Sequence, residues 1–275
     1  MRFKFLFILF NAVLGLSFLL LFFMPLPLLG FKVLGQFWAQ NWLVAALFLA
    51  VMAGIDVYFV THGKLFQLLE REDWDGLISF LQAKLQRRGM LSVHQAKLYA
   101  NACLIRQKPQ EIEALRRLFA TKKPKALPSL ALLLALPAIL GGKAQEILEF
   151  LTPLLQAHPK ARDAGWWRWS LAFALLLEKD WLKAKETLYI VIEDASDPVL
   201  QLLALYLLNN LRQRDDEVPR VLDPLARHLK DRLTEAEWHR TVEHLKERIV
   251  LVLFLNKMIQ DARAWLADFP SGGTE

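Results

Sequence analysis

Residues 69–74 read Leu69-Glu70-Arg71-Glu72-Asp73-Trp74, and residues 177–181 read Leu177-Glu178-Lys179-Asp180-Trp181. Each stretch sets a leucine before a short charged run and a tryptophan after it. On both sides apolar residues recur at helical spacing, with almost no strand alternation. The shared pattern is the end of one helix, a charged turn and the start of the next. Equivalent turns fall at Trp74, Pro109, Lys143, Trp181 and Asp216, with gaps of 35, 34, 38 and 35 residues. Such a period predicts helix–turn–helix units stacked in a row, each hiding its apolar face only against its neighbours.

The most regular unit runs over residues 165–198. Leu171 and Ala172 supply a large and then a small apolar residue in its first helix. Ala184 is small early in the second helix, and Leu188 and Val191 follow. With the turn Lys179-Asp180-Trp181, these positions resemble the tetratricopeptide-repeat (TPR) family. The resemblance covers about residues 62–230 and implies an α-solenoid that binds peptides or proteins. The chain departs from the pattern in three places. Pro109 replaces the aromatic, Gly141-Gly142-Lys143 makes the third turn, and Tyr206 stands where a small residue is expected.

The chain of 275 residues is 55% hydrophobic, and the excess is concentrated at the N-terminus. Residues 1–60 carry only Arg2, Lys4, Lys32 and Asp56 as charges. Residues 5–23 form an uncharged run that spans about 28 Å as a helix, close to a bilayer core. The run exceeds a signal-peptide h-region, and Pro25, Pro27 and Gly30 end it without a small-residue cleavage site. An uncleaved anchor is therefore expected. Residues 42–60 form a second candidate span, with Trp38 and Trp42 at its start and Tyr58 near its end, as interfaces favour. Asp56 lies about one turn from that end, within reach of headgroups. Basic residues flank the N-terminus and follow the second span, whereas the connecting loop has only Lys32. Both termini and the repeats are thus expected in the cytoplasm, on a multi-pass inner-membrane protein. The second span should run on into the first repeat helix, with a bend at Gly63.

The expected organisation is all-α. Residues 1–61 form a two-helix transmembrane hairpin, 62–232 a TPR-like solenoid of about five helix pairs, and 233–269 a long capping helix. Residues 270–275 form a disordered tail. The C-terminal helix has a capping-box start at Thr234-Glu235-Ala236-Glu237 and an apolar run over residues 249–255, too short to cross a bilayer. It suits a solenoid cap or a partner's groove.

No catalytic constellation is visible. There is no phosphate loop and no H-E-x-x-H motif, and His239 and His244 are five apart, on different sides of a helix. Cys103 is the only cysteine and sits at an apolar helix position. The expectation is a non-enzyme with no cofactor or metal. The net charge beyond residue 60 is +4, a balance too mild to argue for nucleic acid, whose binders usually show a clustered basic face.

Two features suggest binding. Trp166, Trp167 and Trp169 crowd one helix start around Arg168, and aromatics with arginine are common at interface hot spots. Three tryptophans in four residues cannot share one groove. Either they pack the stack, or at least one turns to a concave face, a neighbouring helix or the bilayer. Lys122, Lys123 and Lys125 lie between the second and third units. They read as a solvated loop or as contacts to acidic lipid or an acidic partner.

The expected function is a membrane-anchored scaffold or adaptor that organises protein partners in a complex of the envelope-assembly, secretion or flagellar-motor kind. The layout is similar to that of HemY-type inner-membrane TPR proteins. The alternative is a self-assembling subunit that forms homo-oligomers through its C-terminal helix.

Overall fold

A computed structural model describes residues 2–233, 237–238 and 249–270. Among them there is no β-strand. The helices are α1 (Arg2–Phe23), α2 (Pro25–Glu70), α3 (Trp74–Arg88), α4 (Val93–Ile105), α5 (Pro109–Lys122), α6 (Ala131–Leu140), α7 (Ala144–Ala157), α8 (Ala164–Leu177), α9 (Trp181–Asp194), α10 (Pro198–Asn209), α11 (Glu217–Arg232) and α12 (Ile249–Ala267). A 3-10 turn, Pro124–Ser129, joins α5 to α6. The chain divides into two compact units, Met1–Ala83 and Lys84–Glu275.

In the first unit α1 packs along α2 in antiparallel register. Phe7 meets Phe59 at 5.1 Å, Phe18 meets Phe48 at 5.5 Å, and Phe22 meets Trp38 at 5.6 Å between ring centroids. One helical segment, Gly30–Glu70, is long and apolar enough to cross a membrane, and the apolar run of α1, Phe7–Phe23, is shorter. The long segment is not a covered core helix. Its side chains are largely exposed, including Phe31 at 81% and Val60 at 75%. Four polar side chains of these apolar stretches turn back onto their own backbone. Asn11 donates to Phe7 O, Ser17 to Val13 O, Asn41 to Phe37 O and Thr61 to Val57 O. Such i−4 bonds hide polar atoms where no water is at hand.

The stretch between the two apolar runs departs from the expected loop. It is helical except at Gly30, whose φ of 79° breaks α2. The expected bend at Gly63 is not there. The helix runs straight on to Glu70, held by Tyr58 stacked on His62 at 4.6 Å and by Lys64 over the ring of Phe80.

The repeat is written in the backbone. Glu72, Gln107, Gly142 and Lys179 all have φ between 52° and 62°. Each is the left-handed residue of one recurring helix stop. At the last, Lys179 N–H donates to Leu176 O and Asp180 N–H to Leu175 O. The same pair of bonds recurs at residues 72–73, 107–108 and 142–143. This is the Schellman arrangement, which satisfies the final carbonyls of a helix. The next helix opens two residues later, at Trp74, Pro109, Ala144 and Trp181. The third turn is therefore one residue later than the sequence pattern suggested, because Gly142 and not Gly141 takes the left-handed position. The fifth turn, between Asn209 and Glu217, is wider and has no left-handed residue.

In the second unit each helix packs on the next from α4 to α11. The first helices of successive pairs also touch, α4 on α6, α6 on α8 and α8 on α10. Small residues permit this closeness. Ala172 and Ala184 are fully buried. A Cβ on Gly165 would lie 2.9 Å from Leu200 Cδ2, so only glycine lets α10 approach α8 there.

The C-terminal helix α12 buries one stripe, Leu255, Ile259, Ala262 and Leu266. It packs on α10 and α11 and also reaches α6. Tyr206 and Trp265 meet at 6.0 Å. Because α6 and α10 belong to different pairs, α12 crosses the row of first helices and does more than cover the final pair. The expected start of this helix at Thr234, the histidines 239 and 244, and residues 271–275 lie outside the described residues.

Candidate interaction surfaces

The tryptophan cluster opens α8, in the middle of the stack, where α6, α7, α9 and α10 all contact that helix. All three indoles are consequently buried, and each turns to neighbouring helices. Trp166 packs edge-on to Trp169 at 6.2 Å, and Trp169 stacks on Phe173 at 5.9 Å. The i, i+3 and i+4 spacing puts these three rings on one face. The Nε1 atoms of Trp167 and Trp169 are buried without an acceptor. Of the four residues, Arg168 is the one with solvent access. Its guanidinium pairs with Asp194 at 3.2 Å and donates to Pro159 O at 3.4 Å, tying the α7–α8 loop to the end of α9.

Lys122, Lys123 and Lys125 are exposed on the link from α5 to α6. Lys122 Nζ donates to Gly89 O at 3.1 Å, so this link abuts the loop that precedes α4.

The sequence reading missed an apolar edge. Ile105, Leu140 and Leu177 stand two residues before successive left-handed turns, and all three are exposed. Leu182, 63% exposed, and Ile190 continue the apolar surface on α9. The signal was present as an aliphatic residue recurring at that turn position. It went unnoticed because the same residues also fit the apolar periodicity of a core.

A cleft of about 270 Å³ opens between α5, α6 and α7. Its rim carries both signs of charge. Lys143 pairs with Glu146 at 2.7 Å, Glu113 pairs with Arg117, and Arg116 lies over the Phe150 ring. A rim so neutralised selects no ion.

Tyr99 and Cys103 are fully buried on α4. The Tyr99 hydroxyl donates to Glu111 at 2.6 Å. Burial, then that hydrogen bond, pushes the Tyr99 phenol well above its ordinary range. Burial, then the nearby Glu111 charge, pushes the Cys103 thiol up to about 12. Such a thiol is no nucleophile at neutral pH. Among the described residues no group of three His, Cys, Asp or Glu is placed to hold a metal.

Comparison with known proteins places these surfaces in a family. A protein of Treponema pallidum (strain Nichols), described as uncharacterised, is 26% identical over 231 residues, covering 80% of this chain and 73% of its own length. No solved structure matches the chain. The matching family model is described as "Uncharacterised Treponema protein" and covers residues 111–268, from the first turn of α5 to just past the end of α12. It spans more than half of the chain, so the protein belongs to that family.

Proposed function

We propose that this protein is a membrane-anchored scaffold of TPR type, which binds protein partners and organises a complex at the face of a bacterial inner membrane. The observation that carries the reading is the fourfold recurrence of one helix stop, at Glu72, Gln107, Gly142 and Lys179, each joining a pair of helices. A chain built from such units offers long faces of exposed side chains, which suit protein recognition. The exposed apolar surface of Gly30–Glu70 supports the anchor, and α1, packed along α2, would be its second span. The basic residues that flank the apolar runs favour cytoplasmic termini and repeats. Envelope assembly, secretion and a flagellar motor all use proteins of this layout.

The apolar edge at Leu177, Leu182 and Ile190 is the surface that best fits a partner. A photo-crosslinking residue at position 182 of the full chain, in its native membranes, tests this. We expect a discrete product with a second protein, lost when Ile190→Asp is added. Absence of a product from positions 140, 177, 182 and 190 would overturn the scaffold reading. Self-assembly through the C-terminal helix gains less support, since the apolar stripe of α12 is already spent on α10, α11 and α6.

A further inference from the structure

The connections of the second unit alternate between two edges. The tight turns at Gln107, Gly142 and Lys179 lie on one edge. The longer loops before α4, α6 and α8 lie on the other, because consecutive helices run antiparallel. Lys122 bonded to Gly89 joins the first two of these loops. Arg168, bridging Pro159 and Asp194, joins the third to the end of α9.

The charges on the two edges differ in kind. On the turn edge they are paired, Lys143 with Glu146, Lys183 with Asp180, and Lys185 with Asp215 and Glu217. On the loop edge the connection before α10 carries Glu193, Asp194 and Asp197, but the three before α4, α6 and α8 are basic. Arg87, Arg88, Lys122, Lys123, Lys125 and Lys160 are all exposed there. Residues 84–92, 122–130 and 158–163 contain one acid, Asp163, beside Arg162. Among the described residues no acid pairs with Arg87, Arg88, Lys123, Lys125 or Lys160. Six like charges at three connections of one edge repel one another, so the array stands ready for a counter-charge.

We propose that this basic edge binds the anionic phospholipid surface of the bilayer. The inference rests on the membrane-anchored reading, since the apolar segment Gly30–Glu70 keeps the same chain at a bilayer. The chemistry favours a headgroup layer over nucleic acid. The loops expose no Phe, Tyr or Trp ring on which bases could stack, and their prolines, alanines and serines leave the lysines as extended point charges. Each basic side chain near an anionic surface shifts the docked-to-free ratio by about fivefold. Three lysines therefore shift it by about a hundredfold, enough to hold a tethered domain in one orientation.

The test uses the full chain with Ser129→Cys on the exposed 3-10 turn, carrying a fluorophore. The native Cys103 is fully buried and stays unlabelled. The protein is reconstituted in bilayers of phosphatidylcholine alone, or with about one third phosphatidylglycerol, each holding a headgroup-linked quencher. In roughly 0.1 M salt we expect at least about twofold stronger quenching in the anionic bilayer. The difference should vanish at about 1 M salt, where screening is complete within a few ångström. It should also vanish in the K123E/K125E/K160E variant, whose lysines pair with no acid among the described residues. Equal quenching in both bilayers, from protein that resists alkaline extraction, overturns the lipid proposal and leaves the anchored scaffold standing. So does quenching indifferent to the triple variant, while an acidic protein captured by the wild type but not by the variant would reassign the edge. Protein released by alkaline extraction sinks the membrane anchor itself.

Discussion

Lys185 of α9 reaches across to Asp215, ahead of α11, with its Nζ 2.7 Å from the carboxylate and 2.8 Å from Glu217. Among the described residues this is the one turn within a helix pair that lacks a left-handed residue. Asp215 also accepts from the Glu217 N–H at 2.9 Å, which opens α11. Where the local backbone motif is missing, a side-chain cluster from the preceding pair holds the turn.

The cluster predicts a pH signature. Hydrogen bonds from Lys185 and then from the Glu217 N–H hold the Asp215 carboxyl below the usual carboxylate range. Its contribution is present above the ordinary aspartate value of about 3.9 and is lost as pH falls through the lower folded value. Asp215 and Glu217 hold the Lys185 ammonium above its ordinary value. That contribution is full below about 10.4 and is lost only as pH rises through the higher folded value. Lys185→Met should lower Tm by about 2–4 °C. The gap from wild type should stay flat over about pH 5 to 9 and close below about pH 4. A gap that widens in acid would contradict the assignment.

The recurring helix stop predicts opposite effects at equivalent positions. A left-handed backbone costs a residue with a Cβ about 1 kcal/mol or more. Gly142→Ala, at φ 62°, should destabilise by about 1–2 kcal/mol. Lys179→Gly, at φ 61°, should stabilise by up to about 1 kcal/mol, once the added freedom of the unfolded chain is offset. Urea denaturation of the two variants measures both signs.

Cys103 should be inert in the folded protein. With its thiol pushed up to about 12, a maleimide or disulfide reagent at about pH 8 should label it only as fast as the second unit opens. Labelling in denaturant should be complete within the mixing time. Rapid native labelling would show that α4 is not packed as described.

The far end of α12 should depend on one lysine. Lys230 Nζ of α11 donates to Ala267 O and Phe269 O, both at 2.7 Å, and so caps the last carbonyls of the helix. Arg212 adds its guanidinium over the Phe269 ring at 5.9 Å. Lys230→Met should speed amide exchange over residues 255–269 by roughly tenfold, equivalent to about 1.4 kcal/mol of local stability, and leave α8 and α9 unchanged. Uniform acceleration across the unit would mean that α12 is integral to the stack and not a locally clamped helix.

Trp169 separates packing from polarity. Trp169→Ala should cost about 3–5 kcal/mol, as expected for a fully buried ring. Trp169→Phe should cost far less, because the lost ring volume is offset by removal of a buried N–H that has no acceptor. Thermal melts of the pair give the comparison.

Local signals settled much of this fold. Periodic apolar residues determined that the chain is helical, and the charged runs before Trp74 and Trp181 marked two of the turns. Helix period and turn chemistry are properties of a few neighbouring residues, so sequence alone carries them. The apolarity of the segment ending at Glu70 was legible for the same reason, but its start at Gly30 was not, because a loop was expected before residue 42. Other features belong to contacts distant in the chain. The break at Gly30 and the straight path through Gly63 were not legible, since either glycine permits a bend. The tryptophans at 166, 167 and 169 spread over nearly half of the helix circumference. Their burial was decided by α8 having neighbours on every side. The course of α12 across α6 and α10 has no local code, because it depends on which apolar stripes remain uncovered once the row of helices has stacked.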